Sequence, residues 1–315
     1  MPTASLLRLL LTGLFAVASG SAQAAECAPL KQMASLDLVL GNDRALVEVL
    51  ISDKPKRLIV DTGGVFSTVT RQVLEEFDLR PQQGNAALVG VTGARSDQYV
   101  RLPSLGLGDA TVRSVRFMVH PTDLEAGVAG TLAPDFLKSF DLDFDFGLGK
   151  LNLMSPIHCE GKVIYWSPKA LAVIPMRLDD SGHISVPVML DGQKLNAWID
   201  TGAPSTAMNL ATAQRLFAID LASPETELVE TIGDSKAYRR RFRSLELEGF
   251  VVNAPMIRLL PDLMRDALRP NSGSIEILRR RRGLPDVILG LSTLSQMHVY
   301  VAYAERKIYI TDRDP

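Results

Sequence analysis

A mostly β protein of two similar, β-barrel-like lobes related by pseudo-two-fold symmetry is what this sequence predicts, and three observations carry that prediction. The tripeptide Asp-Thr-Gly occurs twice, as Asp61-Thr62-Gly63 and Asp200-Thr201-Gly202, 139 residues apart. Each copy ends an apolar run of strand character, Leu58-Ile59-Val60 and Ala197-Trp198-Ile199. The same elements then recur around each copy in the same order, the mark of an internal duplication.

Upstream of the motifs, Ala45 to Ile51 and Ile184 to Leu190 read as strands, each followed by a polar turn. Asp191-Gly192 is a strong hairpin signal, and Ser52-Asp53-Lys54-Pro55 is a looser one. Downstream, Thr70 and Asn209 are again 139 apart. Both residue types suit a helix N-cap, and the patterns Arg71 to Phe77 and Leu210 to Phe217 follow them. Leu88-Val89-Gly90-Val91-Thr92-Gly93 matches Leu228-Val229-Glu230-Thr231-Ile232-Gly233 at an offset of 140. Ser104-Leu105 and Ser244-Leu245 keep that offset within alternating strand patterns. Leu132-Ala133-Pro134-Asp135-Phe136-Leu137 then pairs with Leu289-Gly290-Leu291-Ser292-Thr293-Leu294 at 157. The second half therefore carries about 17 to 18 extra residues, expected as a surface loop that includes Asn271 to Ser274 and Arg279 to Arg282.

The chain has 315 residues, 46% of them hydrophobic, which is enough for a substantial core in each lobe. Its net charge of −2 argues against nucleic acid as a partner. Arg8, the apolar run Leu9 to Ala18 and Ala22-Gln23-Ala24 read as a signal peptide over residues 1–24. The two lobes then occupy residues 25–160 and 161–315, joined near Ser155 to Ala170. The leader's apolar run is shorter than the roughly 20 residues of a transmembrane helix, so no stable membrane insertion is expected after cleavage. Glu26 beside Cys27 does not suit a bacterial lipoprotein signal. A periplasmic or secreted monomer is expected. Only Cys27 and Cys159 remain as cysteines. In an oxidising compartment they permit one disulfide, and two separate thiols are the other reading.

The two motifs suggest a definite chemistry. A strand delivers each aspartate inward, and the glycine after it lets the backbone turn at close quarters. One buried carboxylate alone would be costly. Brought together by the two halves, Asp61 and Asp200 would share a proton, because like charges in contact push their ionisations apart. One could then activate a water while the other protonates a carbonyl oxygen. That scheme requires no metal and no cofactor. His120, His158, His183 and His298 are scattered without zinc-site spacing, and no Gly-x-Ser-x-Gly or phosphate loop occurs. The runs Arg279 to Arg282 and Arg239 to Arg241 with Arg243 read as solvated faces rather than as a site for an anionic partner.

In these features the chain resembles the aspartic proteases of the pepsin and retropepsin clan, here as a single two-lobed chain of the exported bacterial type. The resemblance rests on both Asp-Thr-Gly motifs, the glycine-bearing segments after them, and Thr131-Leu132-Ala133 and Ile288-Leu289-Gly290, and it runs from about Ser35 to Thr311. It implies the acid-protease fold, with the active site in a cleft between lobes and hairpin flaps above it. It further implies that Asp61 and Asp200 are catalytic and that Thr62 and Thr201 lock the two loops together. Gly63 and Gly202 would offer N–H groups to the carboxylates, and Gly90, Gly93 and Gly233 would lie in the flaps. The substrate would be a peptide or protein.

Gly64 and Ala203 depart from the pepsin pattern, which has a hydroxyl residue after the motif, and no tyrosine stands at either flap tip, the nearest being Tyr99. Both departures favour retropepsin-like ancestry, and the missing hydroxyls imply a pH optimum less acidic than a pepsin's. Ala133, where the other half has Gly290, weakens the first-half signature. The alternative function is a catalytically silent protein of the same fold that binds a peptide in the cleft.

Overall fold

The computed structural model describes residues 27–41, 43–89, 94–166, 171–232, 235–261 and 285–313. Its first half runs through β1 (Gln32–Gly41), β2 (Arg44–Ile51), β3 (Lys54–Val60), β4 (Thr68–Val69) and α1 (Arg71–Glu76). It continues through β5 (Gln82–Val89), β6 (Arg95–Leu107), β7 (Ala110–Val119), β8 (Val128–Leu132), α2 (Pro134–Leu137), β9 (Asp141–Asp145) and β10 (Lys150–Met154). The second half has β11 (Leu171–Pro175), β12 (Arg177–Leu178), β13 (Ile184–Leu190), β14 (Gln193–Ile199), β15 (Ala207–Asn209) and α3 (Leu210–Phe217). After these come β16 (Thr226–Ile232), β17 (Ser235–Arg241), β18 (Ser244–Leu247), β19 (Phe250–Asn253), β20 (Met256–Leu260), β21 (Val287–Leu289), α4 (Leu291–Leu294), β22 (Met297–Ala302) and β23 (Lys307–Asp312). The expected loop at 271–274 and 279–282 lies outside the described residues.

Local chemistry sets both motif hairpins. Asp191 and Gly192 take φ of 46° and 83°, the double left-handed turn that a twisted two-residue hairpin needs. Ser52 and Asp53 do the same at 47° and 68°. The looser turn read from the sequence is therefore a two-residue one, and Lys54 and Pro55 already belong to β3, opposite Ile51 and Leu50. The two short helices begin differently. Asn209 accepts the Thr212 N–H at 3.0 Å as a side-chain cap. Thr70 holds the same position without a side-chain bond, its hydroxyl buried and unpartnered.

Each half closes a barrel-like ladder of the same order. In the first, β2-β3-β8-β4-β7-β6 returns to β2 through the Leu50↔Gly106 and Ile51↔Leu105 pairs. In the second, β14-β21-β15-β20-β17 follows the same path, and β18 pairs β13. The long strand β6 corresponds to β17 and β18 together. The break between them is stitched by Phe242 N–H to Pro255 O at 3.0 Å and Ala254 N–H to Arg243 O at 2.8 Å. Alternate residues of β13 are buried, as on a half-covered sheet, and Leu58, Leu105, Leu132, Val186, Leu245 and Leu289 fill the cores.

A shared six-stranded sheet, β11-β23-β22-β9-β10-β1, joins the halves through the antiparallel pair of β9 with β22. Every residue of β9 and β22 is buried, because the sheet is covered on both faces. Leu142, Phe144, Val299 and Val301 face the apolar core. The opposite face, with Asp141, Asp143 and His298, lies under the connector that follows β10. There Trp166 stacks on His298 with ring centroids 3.9 Å apart, and Tyr165 donates to Asp143. Of the two readings of the cysteines, the structure selects the disulfide: Cys27 is joined to Cys159, tying the start of the described chain to this connector. Arg239 and Arg240 pair with Glu227 and Glu225 at 2.6 Å each, so this basic run is a charge-balanced surface.

Candidate active site

The apolar strands β3 and β14 run parallel to β8 and β21, and these pairings aim both aspartates at the seam between the halves. Asp61 N–H donates to Leu132 O at 2.9 Å and Asp200 N–H to Leu289 O at 3.0 Å, so each motif loop starts from a fixed anchor. Below the aspartates the two threonines cross. Thr62 N–H donates to Thr201 Oγ1 at 3.1 Å, and Thr201 N–H to Thr62 Oγ1 at 3.0 Å. Each hydroxyl then donates across the seam, Thr62 to Ile199 O at 2.8 Å and Thr201 to Val60 O at 2.7 Å. Both threonines are fully buried, where every such bond is shielded from water.

The glycines are required by proximity. A Cβ on Gly63 would sit 2.2 Å from the Asp200 Cγ, and one on Gly202 would sit 2.2 Å from an Asp61 carboxyl oxygen. Each glycine thus lies against the carboxyl of the opposite half, and the two carboxyls share a hydrogen bond. Gly202→Ala is expected to force the dyad apart and remove any activity that depends on it, with a melting temperature lowered as the crossing threonines shift. An alanine variant with undiminished cleavage would contradict this packing.

The hydroxyl-free positions after the motif still contribute. Gly63 N–H donates to Asp61 Oδ1 at 3.1 Å, and the Gly64 N–H also bonds that carboxyl. Asp200 Oδ1 accepts from Gly202 N–H at 2.9 Å and from Ala203 N–H at 3.1 Å. Burial, the Asp200 charge and the bond to Asp200 nevertheless push Asp61 up to about 7 against these lowering bonds. Asp200 is also raised by burial, and its backbone bonds, the bond from Asp61 and His183 oppose the rise.

Several supporting residues escaped the sequence reading. Ser67 accepts the Ala133 N–H at 2.9 Å and donates to Asp135 at 2.7 Å. Thr206 accepts the Gly290 N–H at 3.2 Å and bonds Thr293 at 2.6 Å. The signal was available, since hydroxyl residues recur at these positions with the motif's own offset of 139. Ala133, the weak point of the first-half signature, also has a local reason. Gly64 next to it carries no side chain, and a Cβ there would lie 3.3 Å from Ala133 Cβ. In the other half a Cβ on Gly290 would meet Ser205 O at 2.4 Å, so the methyl group sits on Ala203 instead.

The hairpins β5–β6 and β16–β17 rise from corresponding places in the two ladders. The tip residues Gly90, Gly93 and Gly233 lie outside the described residues. Tyr99 is committed to the first hairpin: its hydroxyl donates to Gln82 at 2.6 Å, and Arg116 lies over its ring at 3.9 Å. Among the described residues, no three His, Cys, Asp or Glu side chains are grouped to hold a metal ion, and no helix is long and apolar enough to cross a membrane.

No curated protein matches the chain. Among solved structures, basic 7S globulin from soybean aligns over 90% of this chain and 95% of its own, with a TM-score of 0.52 at 10% identity. That likeness is one of fold, the pepsin-like arrangement of two lobes. The aspartyl protease family model matches residues 47–136 and again 186–293, once in each half and together over more than half of the chain. Each matched stretch contains one Asp-Thr-Gly loop and its partner strand, and by that double match the chain belongs to the aspartyl protease family.

Proposed function

We propose that the protein is an aspartic endopeptidase that hydrolyses peptide bonds with a water activated between Asp61 and Asp200. The observation that carries this reading is the contact between two deeply set carboxyls, one from each half, that share a hydrogen bond. With one proton on the pair, Asp61 is the acid and Asp200 the base: each accepts two backbone N–H groups, but Asp200 also accepts the Asp61 proton and is held down by the charge of His183. Asp200 takes a proton from the water as its oxygen attacks the peptide carbonyl carbon. Asp61 gives its proton to the carbonyl oxygen, forming a tetrahedral diol. Collapse of that diol returns a proton to the departing amine. One chain supplies both carboxyls, so a monomer suffices. The Cys27–Cys159 disulfide suits an oxidising compartment and, with the leader, supports export to the periplasm or beyond.

The test is a mixed peptide library cut by the purified protein across a pH series. The one-proton dyad persists up to the raised ionisation of Asp61, so kcat/KM is expected to stay high through mildly acidic pH and fall above about 7. A profile with its maximum near the roughly pH 2 to 3 at which pepsin's dyad holds one proton would contradict the electrostatics. Peptide capture without cleavage at any pH would replace the enzyme by a binding protein.

A further inference from the structure

The duplication places a basic residue at one equivalent point in each half. Extending the β2–β3 register by two residues from Leu46↔Ile59 sets Arg44 opposite Asp61. Extending the β13–β14 register from Ser185↔Trp198 sets His183 opposite Asp200. These positions are again 139 apart, yet one holds an arginine and the other a histidine. Arg44 leaves its own aspartate and donates across the seam to Gly202 O at 2.6 Å. Histidine is too short for that reach, and His183 stays on its own side.

His183 is held with care. Its ring stacks on Trp198, two residues before Asp200, at 4.2 Å between centroids and 18° between planes. Its Nδ1 lies 2.8 Å from Asp179 Oδ2, and Asp179 Oδ1 accepts the N–H groups of His183 and Ser181 at 2.9 Å each. Burial raises Asp179, but these bonds and the charge of His183 hold its carboxyl below the usual range. An ionised Asp179 can only accept, so Nδ1 carries the hydrogen that it donates to Asp179. The turn itself is seated on the other half, since a Cβ on Gly182 would lie 2.8 Å from Pro134 of α2. The charged groups named at this turn are Asp179, bonded to His183, Asp200 across the register, and Lys138 at the C-cap of α2, whose Cδ lies 3.9 Å from that same point on Gly182.

We propose that His183, oriented by Asp179, is a positioning residue that directs the dyad's negative charge onto Asp200. The proposal rests on the dyad reading above. A cation beside Asp200 favours the ionised dyad and so lowers the pH at which the pair loses its first proton. Removing the charge must raise that pH, moving the acid limb of kcat/KM upward. Even with the full screening of bulk water, a unit charge about 4 Å away corresponds to roughly half to one pH unit.

The experiment compares wild type, His183→Gln and His183→Arg in pH–rate profiles and in NMR titrations of ¹³C-labelled aspartate carboxyls. His183→Gln is expected to move the acid limb and the lower Asp61/Asp200 midpoint up by about half a unit or more. His183→Arg, which places the other half's residue at this position, is expected to restore the wild-type midpoint. Unmoved midpoints in His183→Gln, or an equal shift in both variants, would overturn the proposal and leave His183 as a packing residue. A wild type that cuts no peptide but shows the His183-dependent midpoint would defeat the endopeptidase reading and leave this inference standing.

Discussion

Replacing Asp61 or Asp200 with Asn is expected to lower peptide cleavage by at least about 10³-fold without loosening the fold. Each carboxyl needs the other in the opposite protonation state, so either single variant removes both acid and base roles. The stability of the variants separates this from unfolding. Asp61 ionises near 7 in the folded chain and near 3.8 as a free side chain. Between those values the folded state keeps a proton that the unfolded state has released. Wild-type stability therefore falls as pH rises through this window, and the cost is fully present above about 7. Asp61→Asn removes the buried charge, so its melting temperature at pH 7 is expected to equal or exceed that of the wild type. A variant that loses cleavage and melts well below wild type would instead assign Asp61 a structural role. Cleavage persisting in both variants would place the chemistry elsewhere.

Replacing Asp143 with Ala is expected to be the most damaging single change to stability away from the dyad, by about 3–5 kcal/mol. Asp143 is fully buried on β9 of the first half, and His298 on β22 of the second half reaches it at 2.5 Å. Asn152 donates to it at 2.9 Å, and Tyr165 of the connector donates as well. Alanine would take an acceptor from all three: Asn152 keeps its bond to the half-exposed Tyr165, but His298 would be left unpaired away from water. His298 suffers most, because its Nδ1 already has no partner. The carboxyl therefore bolts together the first half, the second half and the connector at one point. Asp143→Asn keeps an acceptor at the site and is expected to cost less, about 1–3 kcal/mol. Arg239→Ala breaks an ion pair whose side chains are about half exposed and is expected to cost under about 1 kcal/mol. Denaturant midpoints measure all three, and an Asp143→Ala variant as stable as Arg239→Ala would show that the connector is not fastened there.

The repeat was legible in the sequence because its causes are local. An apolar strand, a carboxylate and a glycine turn must be contiguous in the chain to make one motif loop, so both copies stand in plain view. Turn residues such as Asp191-Gly192 act on their neighbours, and they too could be read directly. The looser turn at Ser52 could not, since Pro55 reads as a breaker and only its pairing with Leu50 makes it strand. The flap tips at Gly90, Gly93 and Gly233 were read in the same local way, and they fall outside the described residues.

What the tertiary structure decided depends on which distant residues meet. Asp141-Leu142-Asp143-Phe144-Asp145 alternates acidic and apolar residues, yet all five are buried, because the connector covers the polar face and His158 and His298 satisfy carboxyls on it. The pairing of Cys27 with Cys159 follows from that same covering segment, 132 residues from its partner. The need for glycine at Gly63 comes from a carboxyl 137 positions away, and the unlike surroundings of Arg44 and His183 come from what the opposite half presents to each. By itself the sequence determined two copies of one loop and the kind of chemistry that such loops bear. The distances that make the copies a pair belong to the fold, because hydrogen bonds and charge coupling act through space over a few ångströms while sequence patterns report only neighbours along the chain.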